Sequence, residues 1–295
     1  MCNKPSIDDC KVMPLPKVAD ARGNLSFLQN GAQLPFPIRR TYWIYDVPGG
    51  AGRGGHAERE NEEAIVALSG SFDVTVDDGT RQRTFPLNRS YHALYIPAGI
   101  WRHISNFSTN ALALEMGSTP YDEADYIRDY AAFLAHQPAP RATPALTGGT
   151  AAAQHPKMCN VFDCTMVELD QHHSDRKGNL SVVENGKTLP FDVRRVYYLY
   201  DVPGGAARGG HAHRALSQLI VAASGSFSVS LDDGARKRTF FLNRPYQGLY
   251  VGPGVWRTLH DFSSGAVCMV LASEPYDEAD YLRHYDAFLQ FRNQA

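Results

Sequence analysis

Two histidines one residue apart, His211 and His213, close the segment Arg208-Gly209-Gly210-His211-Ala212-His213. Side chains two apart on an extended strand point to one face, so the two imidazoles project together. Paired imidazoles can ligate a metal, or they can carry a proton near neutral pH. Polar groups surround the pair in sequence: Arg208 before it, Tyr197 upstream, Gln218, Tyr250 and Arg257 downstream. Arginine grips phosphate by paired hydrogen bonds, and tyrosine can steady a developing enolate oxygen. Such a set suits proton transfer on an anionic substrate. An earlier segment, Arg53-Gly54-Gly55-His56-Ala57-Glu58, repeats the pattern with Tyr42, Tyr95 and Arg102 around it. There Glu58 stands where His213 does, and Glu62-Glu63 replace Ser217-Gln218.

The elements that must position these residues also occur twice. Residues 23–134 align with 178–289 at a constant offset of 155 without gaps, and 65 of the 112 positions are identical. A unit this long is a whole domain rather than a solenoid repeat. The expected organisation is a first repeat over 1–136, a linker over 137–157 and a second repeat over 158–295. The linker, QPAPRATPALTGGTAAAQHPK, is poor in groups that could build a core and reads as an exposed tether. Met158-Cys159-Asn160 echoes Met1-Cys2-Asn3, as fusion of a duplicated gene would leave it.

Each repeat reads as strands almost to its end. Residues 193–200 are β-branched and aromatic and run into Asp201-Val202-Pro203-Gly204-Gly205, a turn. Phe227-Ser228-Val229-Ser230-Leu231 alternates apolar with polar before the hairpin signal Asp232-Asp233-Gly234. Further strands are expected at 217–222, 238–242, 248–251 and 266–271. Many short strands with regular turns indicate an all-β barrel or sandwich. The tail from Tyr276 to Phe288 is expected to form one C-terminal helix, with the acids of Tyr276-Asp277-Glu278-Ala279-Asp280-Tyr281 favoured in its first turn.

Composition excludes several classes. A net charge of −2 gives no electrostatic case for nucleic acid. No apolar run approaches the ~20 residues that span a bilayer. The start of the chain carries no apolar signal region, and the five cysteines include no CxxC pair. A reduced, cytoplasmic protein without structural disulfides is expected.

The His-x-His pair, Gln218 and Gly225 follow the spacing of the first motif of the cupin superfamily, which the chain resembles. A second motif centred on Pro and Gly, Gly252-Pro253-Gly254-Val255-Trp256-Arg257, strengthens the likeness. The resemblance implies two tandem jelly-roll barrels, each with a short C-terminal helix. Cupin metal sites use two His and a Glu from the first motif and a His from the second. Here Gln218 replaces the Glu, and Arg257 lies near the place of the last His. A guanidinium stays protonated and repels a divalent cation. The first repeat, with His56, Glu58 and Glu63, comes nearer to a metal set, but Arg102 holds its fourth position. No metal and no cofactor are expected in either repeat.

Over about residues 164–290 the chain looks very like the sugar-nucleotide 3,4-ketoisomerases. The carrying residues are Arg194-Arg195-Val196-Tyr197-Tyr198, the Arg208–Arg214 segment, Leu231-Asp232-Asp233-Gly234, Gly248-Leu249-Tyr250-Val251, His260-Asp261-Phe262-Ser263-Ser264 and the Tyr276–Tyr281 segment. The first repeat matches the same pattern less well. The resemblance implies a metal-free isomerase that moves a ketone from C4 to C3 of dTDP-4-keto-6-deoxyglucose in deoxysugar biosynthesis. It implies His213 as catalytic base with His211 assisting, and Arg208, Tyr197, Tyr250 and Arg257 binding the dTDP-linked sugar. The first-repeat equivalents are His56, Glu58, Arg53, Tyr42, Tyr95 and Arg102. Relatives act as homodimers with exchanged N-terminal strands. The two repeats are therefore expected to form an intrachain pseudo-dimer, aided by the tether's effective concentration, with further dimerisation open.

Two readings of the first repeat stay open. In one it completes the pseudo-dimer without turnover. In the other Glu58 serves as base, its pKa raised by burial. Rival functions are a dTDP-sugar epimerase, a silent sugar-nucleotide-binding protein and a metal-dependent oxygenase. Arg53 and Arg208 fit either phosphate binding or a structural ion pair, and the tyrosines either substrate binding or rim packing. Trp101 and Trp256 read as packing residues. His155, His172 and His173 read as solvated loop residues, and His260 is left open between roles.

Overall fold

The computed structural model describes residues 5–136 and 158–294. The expected linker, 137–157, lies outside them, as do His155 and Cys2. The chain is almost entirely antiparallel β-structure, and its compact units do not follow the repeat boundaries. The described part of the first unit comprises residues 5–15, 30–136 and 170–189; that of the second comprises 16–29, 158–169 and 190–294. Each unit takes one strand pair from the other repeat.

In the first unit a seven-stranded sheet runs in the order Lys11–Pro14, His92–Ile96, Glu63–Ser69, Leu112–Gly117, Arg40–Tyr45, Gly178–Glu184 and Asp170–Ser174. A five-stranded sheet packs against it, in the order Tyr126–Ile127, Arg53–Glu58, Trp101–Ser105, Phe72–Asp77 and Gln82–Leu87. Ile44, Ile65, Phe72, Val74, Val76, Leu94 and Ile104 fill the space between them. The second unit repeats the design. Its larger sheet holds Met166–Glu168, Gln247–Val251, Gln218–Ser224, Val267–Ala272, Arg195–Tyr200, Gly23–Gln29 and Lys17–Asp20. Its smaller sheet holds Lys237–Leu242, Phe227–Asp232, Trp256–His260, Arg208–His213 and Tyr281–Leu282.

Side-chain alternation explains the layering. In Phe227–Asp232 the apolar residues Phe227, Val229 and Leu231 are buried while Ser228 and Ser230 are half-exposed. Burying apolar surface at roughly 25 cal/mol per Å² drives the sheets together. The borrowed strand is held as firmly as a native one: Asn179 to Glu184 pair with Tyr45 to Arg40, and Asn24 to Gln29 pair with Tyr200 to Arg195. Ser181 meets the Tyr45 hydroxyl at 3.1 Å, and Ser26 meets that of Tyr200 at 3.1 Å.

The tail departs from the expected single helix over Tyr276–Phe288. Glu278–Asp280 is one short 3-10 turn capped by Asp277, Tyr281–Leu282 is a strand, and the α-helix spans Tyr285–Gln294. The reason is a long-range pairing: His213 and Ala212 take Tyr281 and Leu282 as sheet partners. Leu282 and Phe288 then bury together with Ala212, so one apolar spacing serves two elements. Trp256 packs on Tyr285 and Phe288, and Trp101 on Tyr130 and Phe133. His172 and His173 lie in a strand, not a loop. Cys10, Cys164 and Cys268 are buried thiols outside any disulfide.

Candidate active site

Two glycines aim the imidazoles. Gly209 and Gly210 adopt φ of +82° and +68°, a region costly for any residue with a Cβ. They build a bulge: Gly209 pairs with Thr258 and His211 with Arg257, leaving Gly210 extra. A Cβ on Gly209 would lie 2.8 Å from the Arg257 carbonyl oxygen.

Past the bulge, His211 and His213 stand with ring centroids 5.2 Å apart and planes perpendicular. Tyr281 closes the group, 5.0 Å from His211 and 4.3 Å from His213. His213 is only 2% exposed, and its Nδ1 lies 2.7 Å from an Asp280 carboxylate oxygen. The pair's geometry falls short of a hydrogen bond, and both His213 ring nitrogens lack one. His211 is half-buried, and its Nε2 also has no partner.

Two buried guanidinium groups, Arg195 and Arg257, lie beside His213. Arg257 donates from Nη1 to the His211 carbonyl at 3.0 Å. The Gln218 carboxamide, turned with its oxygen toward Arg257, accepts from Nε and Nη2 at 3.0 Å each and donates to the Tyr197 hydroxyl at 3.0 Å. Arg195 lies over the Tyr197 ring at 5.3 Å, and its Nε and Nη2 find no hydrogen-bond partner. Among the described residues neither Arg195 nor Arg257 has a carboxylate within ion-pair distance. Against these two guanidinium groups stands one nearby carboxylate, Asp280, so the cluster keeps a net positive charge in a low-dielectric place, where an anion would be stabilised.

The first unit shows the same scaffold with opposite electrostatics. Glu58, in the place of His213, accepts from Arg40 Nη2 at 3.1 Å and Asn61 Nδ2 at 2.7 Å. Glu63, in the place of Gln218, takes two bonds of 2.7 Å from Arg102. Glu115, in the place of Val270 and fully buried, accepts from Arg102 at 3.0 Å and from the Tyr42 hydroxyl at 2.6 Å. Three carboxylates absent from the second unit therefore occupy both guanidinium groups. They bond to arginine, not to one another as a metal cage, and among the described residues no group of three His, Cys, Asp or Glu could hold an ion.

Burial governs the titrations. It lowers His211 and His213 far below the ordinary histidine range, with Arg257 adding to the effect in both. At His213 the guanidinium groups of Arg195 and Arg283 add to the same lowering. In the first unit burial, then Arg102, takes His56 down to about 3. Burial, then Glu63, pushes Glu58 up to about 8 against the pull of Arg40. Glu63 is lowered, since its Arg102 pairing overcomes burial, and Glu115 is raised chiefly by burial. A histidine kept neutral in the folded state costs stability in acid. Below the unfolded pKa, near 6.5, the unfolded chain takes a proton that the folded one refuses. Stability from His213 is therefore complete above pH 6.5 and lost as pH falls. His213→Asn should flatten that decline by up to about 1.4 kcal/mol per pH unit, measured as denaturant midpoints between pH 7.5 and 5.5. An unchanged slope would mean that the ring protonates in the folded state.

Of the residues expected from sequence, the structure brings together His211, His213, Tyr197 and Arg257. Arg208 pairs with Asp20 at 3.1 Å, the structural alternative. Tyr250 is not at the site: Leu249 and Val251 point into the core, so Tyr250 faces the other side of its sheet and packs on Phe191. Tyr95 lies outward in the same way, against Phe36. In the first unit His56, Arg53, Tyr42 and Arg102 line a cavity, while Glu58 and Tyr95 do not. His260 sits between Ser230 and Asp261, each at 2.8 Å, apart from the pair. Sequence reasoning missed Arg195, Asp280, Tyr281 and Glu115. Comparing Glu115 with Val270 would have shown one more acid lost between the copies.

The family model described as FdtA: WxcM-like, C-terminal, matches residues 8–137 and again 162–293. The TDP-4-oxo-6-deoxy-alpha-D-glucose-3,4-oxoisomerase of Aneurinibacillus thermoaerophilus is 50% identical over 117 residues, 40% of this chain and 84% of that protein. A 3,4-ketoisomerase from Helicobacter canadensis is 40% identical, covering 44% of this chain and 98% of that one, with a TM-score of 0.43. The sugar 3,4-ketoisomerase QdtA from Thermoanaerobacterium thermosaccharolyticum, solved with TDP, is 36% identical, covering 46% and 98%, with a TM-score of 0.44.

Proposed function

The chain belongs to the FdtA, WxcM-like C-terminal family, present in two copies, and on that premise we propose that its second unit is a sugar-nucleotide 3,4-ketoisomerase. The substrate is dTDP-4-keto-6-deoxyglucose and the product a dTDP-3-keto-6-deoxyhexose. The C4 carbonyl makes the proton on C3 acidic. A neutral imidazole removes it, the electrons spread into an enediolate, the O3 hydroxyl proton passes to O4, and a proton returns at C4 to leave the ketone at C3. One observation carries the reading: two imidazoles without hydrogen-bond partners at His211 Nε2 and at both His213 ring nitrogens stand against Tyr281, beside two guanidinium groups that have no carboxylate within ion-pair distance among the described residues.

Each group has a role in that sequence. The Asp280 carboxylate beside Nδ1 favours the proton on that nitrogen, which leaves Nε2 for the proton on C3. His211, at the more open position, takes a proton from solvent and passes it to C4. Arg257 and Tyr281 face the developing oxyanion, and the free Arg195 donors meet the substrate's negative charge. The strands that each unit takes from the other repeat support an intrachain counterpart of a strand-exchanged dimer. Incubation with dTDP-4-keto-6-deoxyglucose in D2O should give a 3-keto product carrying deuterium at C4, read by NMR. Unchanged substrate, or a 4-keto product inverted at C3 or C5 as an epimerase would give, would defeat the proposal.

A further inference from the structure

The first unit contains a cavity of about 500 Å³. Its lining includes the buried His56 and Tyr42, with Tyr126, Arg53, Arg128 and Lys177. His56 is 7% exposed, yet neither ring nitrogen has a hydrogen-bond partner. A buried polar group normally finds one, and an orphan pointing into a cavity is a place for a ligand atom. Arg53 and Lys177 have no carboxylate within ion-pair distance among the described residues. Arg53 Nε is likewise unpartnered, while its Nη2 donates to the Asn179 carbonyl at 3.1 Å. Tyr121 and Tyr126, also in the lining, stand 5.5 Å apart and offer aromatic faces.

The residues around His56 lack what turnover requires. Arg102 faces Glu63 and Glu115, so one positive charge meets two carboxyl groups. Glu115 also takes the Tyr42 hydroxyl. An enediolate formed there would meet carboxylates in place of an unspent guanidinium. Glu58 is clamped by Arg40 and Asn61 and does not reach the cavity.

We propose that the first unit is a second site for a nucleoside-diphosphate-linked sugar, which it holds without isomerising. Arg53 and Lys177 take the diphosphate, His56 hydrogen-bonds the sugar, and Glu63 with Glu115 silences the chemistry. The ligand class rests on the isomerase reading of the second unit; the silencing rests on the carboxylate contacts alone.

Calorimetric titration of the full chain with TDP tests binding. The expected result is two equivalents per chain, falling to one in Arg53→Glu/Lys177→Glu. His56→Trp, which fills the cavity, should do the same if the charge reversal fails to fold by circular dichroism. One equivalent in the unaltered chain, or two in both variants, would overturn the site. Restoring the second unit's residues by Glu58→His, Glu63→Gln and Glu115→Val in a chain carrying His211→Asn and His213→Asn tests the silencing. Product at least tenfold above that inactive parent is expected; none, with two TDP still bound, would refute it. Failure of the isomerase reading shows separately, as no 3-keto product from the unaltered chain.

Discussion

His213→Asn should cut ketone transfer steeply while TDP affinity stays nearly unchanged. A positioned general base contributes about 10²–10⁴ in rate, so the loss in kcat should fall in that range. Asparagine keeps most of the volume and cannot take the proton. The ring it replaces contacts Tyr281 and Asp280 rather than the basic groups expected to hold the diphosphate. His211→Asn, run in parallel, separates the two transfers. If His213 takes the C3 proton, His213→Asn stops exchange of that proton with solvent, whereas His211→Asn slows return at C4 and allows C3 exchange to continue. Full turnover in His213→Asn would shift the base to His211.

Writing the first unit's carboxylates into the second, by Gln218→Glu and Val270→Glu, should lower kcat by about 10²–10³, the cost of losing a preorganised oxyanion partner. The carboxylate introduced by the first substitution would take the Arg257 fork that Gln218 now fills without neutralising it. The one introduced by the second would reach the same guanidinium, as Glu115 reaches Arg102. The fold should tolerate the change, because the first unit buries this network with Tyr42 where the second has Tyr197. Removing one member of a buried charged set is what destabilises, so the double variant is the informative one. Circular dichroism and TDP titration check that the unit remains intact. Retained activity would mean that charge at Arg257 does not matter to the transition state.

The second prediction depends on a difference that is quiet in sequence. Glu58 against His213 is visible because both lie in a recognisable motif. Glu63 beside them is visible too, but its sequence neighbours suggest metal ligation, whereas its partner in space is Arg102. Glu115 lies on another strand among apolar residues, and nothing local marks it. Tyr281 and Asp280 sit in a segment whose acids suggest a helix start. The short capped turn there is real, but the tyrosine that ends it pairs with the histidine strand.

The sequence by itself determined the duplication, the all-β architecture and the shared face of His211 and His213, because these follow from period-two alternation, turn residues and a gapless internal alignment. Tertiary structure alone decided that each unit completes its sheet with the other repeat's strands, that Tyr250 faces away, and that a buried arginine meets two carboxyl groups in one unit and none in the other. Those outcomes depend on strand order and on contacts between residues distant in the chain, where a carboxylate's effect is set by a guanidinium a few ångströms away in a low-dielectric core.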